Sequence, residues 1–317
     1  MPYRRMSCKG WARHSIRANP DPSTISTCDA NTAVGWNNQR KLVRASDGTL
    51  YVTYFKLVSG AQQIFVAKSI DNGTTWIDET RISTYPGMSS TWQQTPAIVI
   101  DSNDNLYVVW QGAATGYSNN QIWYAKYNGT AWSTPERIST ASGMESYTQS
   151  NPSIAVDLNN YIHVVWKGGA TGYSVSQIWY ATYNSSWQTP VRISTASGME
   201  SYAQKDPSIA VDINNFVYVI WFGQATDYTG YDKIWYANYT TSWSTPICLQ
   251  AIGQNTYPNL RWSFYPASNR FVTRLDYVFT EGTASPYSIK FSSVFINYAS
   301  FRLRLSGAWM HHTTAPT

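Results

Sequence analysis

The sequence predicts an all-β fold, a β-propeller of four-stranded antiparallel blades, with five clear blades and residues 291–317 as the candidate for a sixth. Three observations predict it: a segment repeats with a fixed period, each copy divides into four strand-like pieces, and the composition is aromatic. Of 317 residues, 15 are Trp and 24 are Tyr, while only 13% are charged. This composition suits strands better than helices.

The repeat is the strongest of these observations. The triplet Trp-Tyr-Ala starts at Trp123, Trp179 and Trp235, which are two steps of 56 residues. A less similar copy precedes these units at residues 39–84, and another begins near Pro258. Repetition at one period indicates units that stack on their neighbours because a single unit cannot bury its own apolar faces.

Each unit reads as four strands. In the copy that begins at Pro152, PSIAVD and YIHVVW are apolar or alternating runs of about six residues, separated by a turn at Asn159 and Asn160. QIWYATY is a third strand, and WQTPVRIST is a fourth whose Pro190 suits an outer edge. No segment sustains a 3.6-residue period. Four antiparallel strands repeated five times indicate a propeller, since 56 residues is too short for an immunoglobulin-like sandwich.

The repeat also predicts the limits of the domain. We expect a basic N-terminal arm at 1–22, the propeller at 23–306 and a C-terminal tail at 307–317. The predicted blades lie near 39–90, 95–150, 151–205, 206–256 and 257–306. STIST at 23–27 resembles the RIST segments of the outer strands, so we expect it to pair as the outer strand of the last blade.

The charge distribution bears on the partners. Residues 1–17 hold five basic residues and no acid, whereas 18–256 carry 12 basic and 16 acidic residues, a net charge of −4. A nucleic-acid-binding protein should have a basic face on its folded body, so we expect no nucleic-acid partner. The basic arm is either solvated or an anchor for self-assembly.

The bulk sequence carries little sign of a membrane or a metal. No apolar run reaches 18 residues, so no membrane span is expected. No signal peptide is visible, which leaves a different native start, another export route or release by lysis. Cys8, Cys28 and Cys248 lack metal-ligand spacing; Cys28 and Cys248 either form a disulfide or are unrelated thiols. We expect no metal and no cofactor.

One stretch between the third and fourth strands of the first unit has a special spacing. In SIDNGTTW, Asp71 can accept N–H groups of its own turn and Gly73 can supply a positive φ, while Trp76 can pack under the hairpin. The set Ser69, Asp71, Gly73, Thr75 and Trp76 resembles the Asp-box of BNR-repeat, sialidase-like propellers. The resemblance covers roughly 39–256 and implies a structural role for the box, on the face away from an active site.

The opposite face carries longer loops than hairpin closure needs, and long loops on a rigid scaffold commonly bind ligands. They repeat as GAATGYS, GGATGYS and GQATDYT, and as SGMESY. Aromatic and amide side chains suit sugar rings. The predicted ligand-binding residues are Trp92, Tyr117, Glu145, Tyr147, Tyr173, Glu200, Tyr202 and Tyr228. The alternative, which we weigh equally, is that the Tyr and Met side chains pack one blade against the next.

The resemblance to sialidases also implies three arginines that clamp a carboxylate, a Tyr–Glu nucleophile pair and an Asp acid/base. The position of the first arginine falls on Asn38, and Arg40 and Arg261 are the nearest candidates. The arginine clamp is therefore incomplete, and we expect no catalytic residues. Near-identical loops in successive blades favour several equivalent binding sites over one asymmetric catalytic centre.

These observations predict a non-catalytic extracellular or virion-surface propeller that binds carbohydrate or a surface protein through its loop-rich face. The first alternative is a sialidase-type glycoside hydrolase, which rests on the resemblance. The second is a structural subunit of a surface assembly, which rests on the basic arm.

Overall fold

The predicted fold class is confirmed: the chain forms five antiparallel sheets that follow one another as the blades of a β-propeller. The computed structural model describes residues 24–25, 40–250, 253–267, 270–283, 288–296, 304–305 and 308–309. The N-terminal arm, Cys8 and Cys28 lie outside these residues. Within the described part of the chain, no helix is long and apolar enough to span a membrane.

Within each sheet, neighbouring strands are neighbours in the chain, apart from a divided outer strand in the third sheet. The first sheet comprises β1 (Leu42–Arg44), β2 (Leu50–Val58), β3 (Ala61–Ser69) and β4 (Ile77–Arg81). The second comprises β5 (Gln93–Ile100), β6 (Leu106–Ala114), β7 (Tyr117–Tyr127) and β8 (Glu136–Arg137). The third comprises β9 (Gln149–Val156), β10 (Ile162–Ala170), β11 (Tyr173–Asn184), β12 (Ser186–Trp187) and β13 (Val191–Arg192).

The fourth and fifth sheets continue the same pattern. The fourth comprises β14 (Gln204–Val211), β15 (Val217–Ala225), β16 (Tyr228–Tyr239) and β17 (Ile247–Gln250). The fifth comprises β18 (Asn255–Ala267), β19 (Arg270–Glu281), β20 (Ser288–Ile296), β21 (Arg304–Leu305) and β22 (Ala308–Trp309). The described residues after Ile296 therefore extend the fifth sheet. Within the described part of the chain they form no separate sheet that would be a sixth blade.

The core lies in the seams between consecutive sheets. Separate apolar clusters join the first sheet to the second, the second to the third, the third to the fourth and the fourth to the fifth. Trp110, Trp166 and Trp221, in the middle of the second strand of their blades, are completely buried in these clusters. Burial of such large side chains is the main stabilising term, since the hydrophobic effect scales with the apolar area removed from water.

One face of the propeller, here called the hairpin face, carries the turns between the first and second strands. In the third blade, Asp157 Oδ1 accepts the N–H groups of Asn159 and Tyr161 at 2.9 and 2.7 Å. The hairpins also bond to one another, because Asn160 Oδ1 accepts the Ser102 N–H of the preceding blade at 2.9 Å. Equivalent bonds join Ser46 to Asp104 and Leu158 to Asn215.

The Asp-box closes a turn on this same face. Asp71 Oδ1 accepts the Thr75 N–H at 2.8 Å, and Ser69 Oγ accepts the Gly73 N–H at 2.8 Å. Gly73 has a φ of 89°, which its lack of a side chain permits. Trp76 packs against the outward face of the first sheet, beside Tyr54. All five residues of the motif belong to the turn or pack against it. That the motif has a structural role and takes no part in function stays a prediction.

In the third and fourth blades, the tryptophan of the equivalent turn lies at a seam between two blades. Trp187 of the third blade lies edge-on to Tyr124 of the second, with ring centroids 5.2 Å apart. Trp243 of the fourth blade lies edge-on to Tyr180 of the third at 4.9 Å. In these two blades, the tryptophan of the turn therefore packs its blade against the preceding one.

The predicted pairing of residues 23–27 with the last blade lies mostly outside the described residues. Thr24 and Ile25 are described and are not in a strand. Ile25 packs against the first sheet, in the cluster of Tyr54 and Phe65. Cys248 forms no disulfide with a described residue, and burial raises the pKa of its thiol to about 11. Its candidate partner Cys28 lies outside the described residues, so the pairing stays untested.

Candidate functional site

The loop-rich face, opposite the hairpin face, is built from interlocking turns. The loop PGMSST and the two SGMESY loops form 3₁₀ turns at Met88–Ser90, Met144–Ser146 and Met199–Ser201. Each methionine is completely buried, and its carbonyl oxygen accepts a glutamine amide of the third strand, as between Gln121 Nε2 and Met144 O at 3.2 Å. The same loop accepts a bond from the next blade, because the Thr171 N–H donates to Ser142 O at 2.9 Å.

Three of the predicted binding tyrosines pack inside their blades. Tyr117 lies edge-on to Trp123 at 5.6 Å, and the Arg137 guanidinium covers its other side, 4.6 Å from the ring centroid. Tyr173 makes the same contacts with Trp179 and Arg192, and Tyr228 with Trp235. All three are half-buried. These contacts account for the repeat of the tyrosines, and their ligand-binding role stays a prediction.

The other predicted residues differ in exposure. Trp92 is 54% exposed, and Glu145 and Glu200 are exposed at their 3₁₀ turns. Tyr147 and Tyr202 are half-buried in the equivalent position of successive loops. Glu145 and Tyr147 recur as Glu200 and Tyr202 in the next loop, whereas the first of the three loops has Ser89 and Thr91 at these positions and carries Trp92 without a counterpart.

A strained backbone position marks the start of each inner strand on this face. Thr95, Asn151, Asp206 and Tyr257 each precede a proline and have φ between 45° and 53°. Left-handed conformations of non-glycine residues are costly and often lie at functional sites. Because the ladder shifts register here in each blade, the side chain before the proline leaves the regular alternation.

In the third and fourth blades, these strained residues join one polar network. Asp206 is 6% exposed, and its Oδ1 lies 2.8 Å from Lys167 Nζ and accepts a bond from Asn151 Nδ2. The Asn151 N–H donates to Gln111 Oε1 of the second blade at 2.8 Å. Side chains of three blades are therefore held together at this end of the inner strands.

A second ion pair lies one blade further. Lys205 Nζ lies 2.9 Å from Asp232 Oδ2, and the Asp232 N–H donates to Gln254 Oε1 at 3.1 Å. Gln254 Nε2 also donates to Asp232 Oδ2 at 3.3 Å. Phe222, 4% exposed, lies under this network and meets Tyr257 edge-on at 5.5 Å.

This network lies at the wall of a cleft of about 640 Å³ between the fourth and fifth blades, here called the 4–5 cleft. The cleft has aromatic and small polar side chains and one open glycine position. It is lined by Tyr231, Gln254, Thr256, Tyr257, Thr280, Gly282 and Thr283. Tyr231 and Tyr257 are 49% and 55% exposed, so both rings are accessible from solvent. A pocket with a few convergent polar groups is the usual form of a small-ligand site.

None of the residues of the 4–5 cleft was among the predicted binding residues, and one signal in the sequence marks them. Tyr228 and Lys233 of the fourth blade occupy the positions of Tyr117 and Gln121 in the second blade. The third strand of the fourth blade has one more residue between these two positions. The added length brings Tyr231 to the cleft. Lys233 replaces the glutamine of the other blades and donates to Gly253 O at 3.2 Å.

Of the candidate clamp arginines, Arg40 lies two residues before the inner strand of the first blade, and Arg261 lies on the inner strand of the fifth. The Arg40 carbonyl accepts the Ile98 N–H at 2.9 Å, and Arg261 lies on β18 opposite Asp276. Burial, and then the neighbouring Arg261 guanidinium, lower the pKa of Arg40. Among the described residues, no three His, Cys, Asp or Glu side chains are grouped to hold a metal ion.

Comparison with known proteins places this geometry in a wider class. The sequence matches no protein-family model, and no curated protein is significantly similar to it. Among solved structures, the alpha-L-arabinanase of Penicillium chrysogenum is 13% identical, with a TM-score of 0.55 over 78% of this chain and 76% of its own. The GH93 alpha-L-arabinofuranosidase of Fusarium graminearum is 13% identical, with a TM-score of 0.53 over 80% and 82%.

A Hadza microbial sialidase has a similar fold, with 11% identity and a TM-score of 0.51. The match covers 83% of this chain but only 59% of the sialidase chain, so this protein spans less than two thirds of it. At these identities the likeness concerns the fold alone. It defines the chain as a β-propeller of the architecture that these glycoside hydrolases have.

Proposed function

We propose that this protein binds carbohydrate through its loop-rich face, in the 4–5 cleft, without cleaving the bound sugar. The carrying observation is that Tyr231 and Tyr257 expose about half of their surface in a cleft of about 640 Å³. An aromatic ring can pack against the C–H face of a sugar, and the polar tip of tyrosine can meet its hydroxyl groups. Gln254 and Thr256 supply further hydrogen-bonding groups in the same cleft.

The arrangement of charge supports binding rather than hydrolysis. Glycosidases use a pair of carboxyl groups that flank the scissile bond. At the 4–5 cleft, Asp232 is engaged by Lys205 and Gln254, and Asp206 is engaged by Lys167. These bonds hold the carboxylates within the protein. They position lysine and amide side chains beside the cleft, and no Asp or Glu is among the described residues that line it.

The predicted loop residues extend the proposal to larger glycans. Trp92, Glu145 and Glu200 are exposed on the loop-rich face and can contact units of a chain beyond the cleft. Weak contacts repeated around one face add through effective concentration. The proposal implies an extracellular or virion-surface setting, where glycans and surface proteins are displayed. Self-assembly through the basic arm belongs to the structural-subunit alternative.

The test is glycan-array binding by the full-length chain, with sialosides and arabino-oligosaccharides included because the structural neighbours are named for those sugars. We expect Tyr231→Ala and Tyr257→Ala each to weaken binding by about tenfold or more, the loss of one aromatic contact. Ile70→Ala is the control, since Ile70 is 69% exposed on the hairpin face. A blank array, or binding that both tyrosine variants retain, would contradict the proposal.

The hydrolase alternative has its own test. The structural neighbours are glycoside hydrolases, and Arg261 lies near enough to Arg40 for its charge to lower the pKa of Arg40. Incubation with fluorogenic sialosides and arabinofuranosides should release no fluorophore. Turnover that Arg40→Ala or Arg261→Ala abolishes would establish the enzyme instead.

A further inference from the structure

A second groove lies on the hairpin face, away from the loop-rich face and the 4–5 cleft. It runs along the seam between the third and fourth blades and encloses about 710 Å³; we call it the 3–4 seam groove. Its walls are aromatic and its rim carries amide side chains. The residues used below are Asp157, His163, Tyr180, Thr182, Tyr239 and Trp243, with Asn184, Gln188 and Asn215 at the rim.

The floor of the groove holds a buried polar pair. His163 is 5% exposed and Asp157 is 8% exposed. His163 Nδ1 shares a hydrogen bond with the Tyr180 hydroxyl at 2.7 Å. His163 Nε2 lies 3.5 Å from Asp157 Oδ2, and this buried nitrogen has no hydrogen-bond partner among the described residues. A buried polar atom without a partner calls for an explanation, because nearly all such atoms in proteins are bonded.

The neighbouring blades show what is different here. In the second blade Tyr107 occupies the position of His163, and its hydroxyl donates to Asp101 Oδ2 at 3.2 Å. In the fourth blade Tyr218 does the same with Asp212 Oδ2 at 3.0 Å. Histidine is smaller than tyrosine and leaves Asp157 without this hydroxyl bond. Of these three blades, only the third lacks the tyrosine–aspartate hydrogen bond and has instead a histidine and an aspartate 3.5 Å apart.

A second replacement widens the same groove. Lys126 of the second blade lies over Tyr107, with its Nζ 5.2 Å from the ring centroid. The equivalent residue of the third blade is Thr182, which is shorter. At the seam of the second and third blades, the rings of Tyr107 and Tyr183 fill the space, with centroids 6.2 Å apart. At the next seam the smaller His163 stands in place of Tyr107, and Thr182 stands in place of Lys126. Both replacements leave more space in the 3–4 seam groove.

The seam between the first and second blades also has a groove, of about 610 Å³, but a different lining. Tyr51 stands there at the position of His163, and Lys68 and Asp78 form an ion pair of 2.7 Å. Among the described residues, no lysine or arginine lines the 3–4 seam groove, and Asp157 is the one acidic residue that does. An anionic ligand would meet a buried carboxylate there, so the chemistry favours a neutral one.

We propose that the 3–4 seam groove binds a neutral sugar residue. One hydroxyl of the sugar would bridge His163 Nε2 and Asp157 Oδ2, because a hydroxyl both donates and accepts and the two atoms are 3.5 Å apart. The C–H face of the ring would pack against Tyr239 and Trp243, and its remaining hydroxyls would reach the rim amides. This site is independent of the 4–5 cleft, so either proposal can fail alone.

The test uses substitutions that copy the second blade. His163→Tyr and Thr182→Lys place in the third blade the residues that the second blade already accommodates, so both variants should fold with unchanged or raised melting temperatures. Calorimetry and saturation-transfer NMR would use the full-length protein with methyl glycosides of galactose, glucose, fucose and arabinose, and with sialyllactose as the acidic probe. We expect at least one neutral glycoside to bind.

The binding is measured in the Tyr257→Ala background, so that the 4–5 cleft does not contribute to it. The expected result is that His163→Tyr and Thr182→Lys each weaken that binding about tenfold or more, whereas Ile70→Ala, on an exposed residue outside the groove, leaves it unchanged. In the Tyr257→Ala background, binding that survives His163→Tyr, binding of sialyllactose alone, or no binding of any neutral glycoside would each overturn the proposal. Chemical shift changes confined to the His163 and Trp243 side chains would locate the ligand in the groove.

Discussion

Gly143 lies so close to Thr171 of the next blade that a methyl group on its Cα would overlap the threonine hydroxyl and lie 3.0 Å from the threonine N. Gly143 also has a φ of 77° at the start of its 3₁₀ turn. Gly87 and Gly198 repeat the relationship with Thr115 and Thr226. Contact and backbone conformation both require glycine, so this loop fixes the spacing of adjacent blades.

Gly143→Ala should therefore destabilise the protein through two separable effects. A non-glycine residue at positive φ costs about 1–3 kcal/mol, and displacement of Thr171 adds a packing cost of about 1–3 kcal/mol. Gly129→Ala is the matched control, because Gly129 has a φ of 89° and open space around its Cα. Urea denaturation should show the larger loss for Gly143→Ala. Equal losses would mean that the blades adjust to the added methyl group.

The Asp-box hairpin should weaken in acid. Bonds from the Thr75 hydroxyl, the Thr75 N–H and the Ser69 hydroxyl lower the pKa of Asp71 from 3.8 to about 2. A depressed folded-state pKa means that the stabilisation is complete above the ordinary value and is lost as the pH falls from about 4 to about 2. The amide protons of Gly73 and Thr75 should lose protection from exchange over that interval.

The second blade supplies an internal control for this prediction. Asn128 Oδ1 accepts the N–H groups of Thr130 and Ala131 at 3.0 and 2.9 Å, in the equivalent turn, and an amide does not titrate. Its amide protection should stay constant over the same interval. Asp71→Asn should likewise remove the pH dependence of the first-blade turn. Parallel loss of protection in both turns would point to global acid unfolding and not to Asp71.

The fold could be predicted from the sequence because the same pattern of four strands recurs in each repeat, so each copy supports the assignment of the others. The packing of Trp110 and Trp166 follows from that pattern. The 4–5 cleft could not be predicted in this way. It forms where the fourth blade gains one residue before Lys233 and where its loop meets the fifth blade, whose sequence has drifted from the repeat.

The positive φ angles at the start of the inner strands could not be predicted from the sequence either. Thr95, Asn151, Asp206 and Tyr257 differ in residue type, so the repeat gives no common signal except the proline that follows. A residue before proline is expected to be extended. Only the paired strands show that the ladder shifts at this point and turns each of these side chains out of register.

Removal of Asp206 should test whether the polar network stabilises the junction of three blades. Asp206→Ala leaves Lys167 without its carboxylate, and loss of one partner of a buried ion pair costs about 3–5 kcal/mol. Because Lys167 is 25% exposed, we expect the low end of this range. Asp206→Asn keeps the size of the side chain and should cost less. Denaturation midpoints at neutral pH measure both, and an unchanged midpoint for Asp206→Ala would assign the network no stabilising role.

The two roles of the repeated tyrosines can be separated by measuring stability and binding together. Tyr117 and Tyr173 each lie between a tryptophan and an arginine, so truncation removes packing on both sides of the ring. We expect Tyr117→Ala and Tyr173→Ala each to lower the free energy of unfolding by about 2 kcal/mol, with part of the loss from the aromatic pair itself. The two losses should add in the double variant, because the residues lie in different blades.

The same variants should bind glycans as the unmodified protein does at temperatures where they stay folded, whereas Tyr257→Ala should lose binding and keep its stability. Tyr257 is 55% exposed and touches Phe222 only edge-on, so its truncation removes little packing. Melting curves and glycan-array signals from one set of preparations give both readouts. If Tyr117→Ala and Tyr173→Ala lost binding without loss of stability, the repeated loops would be the ligand site, and the 4–5 cleft would not.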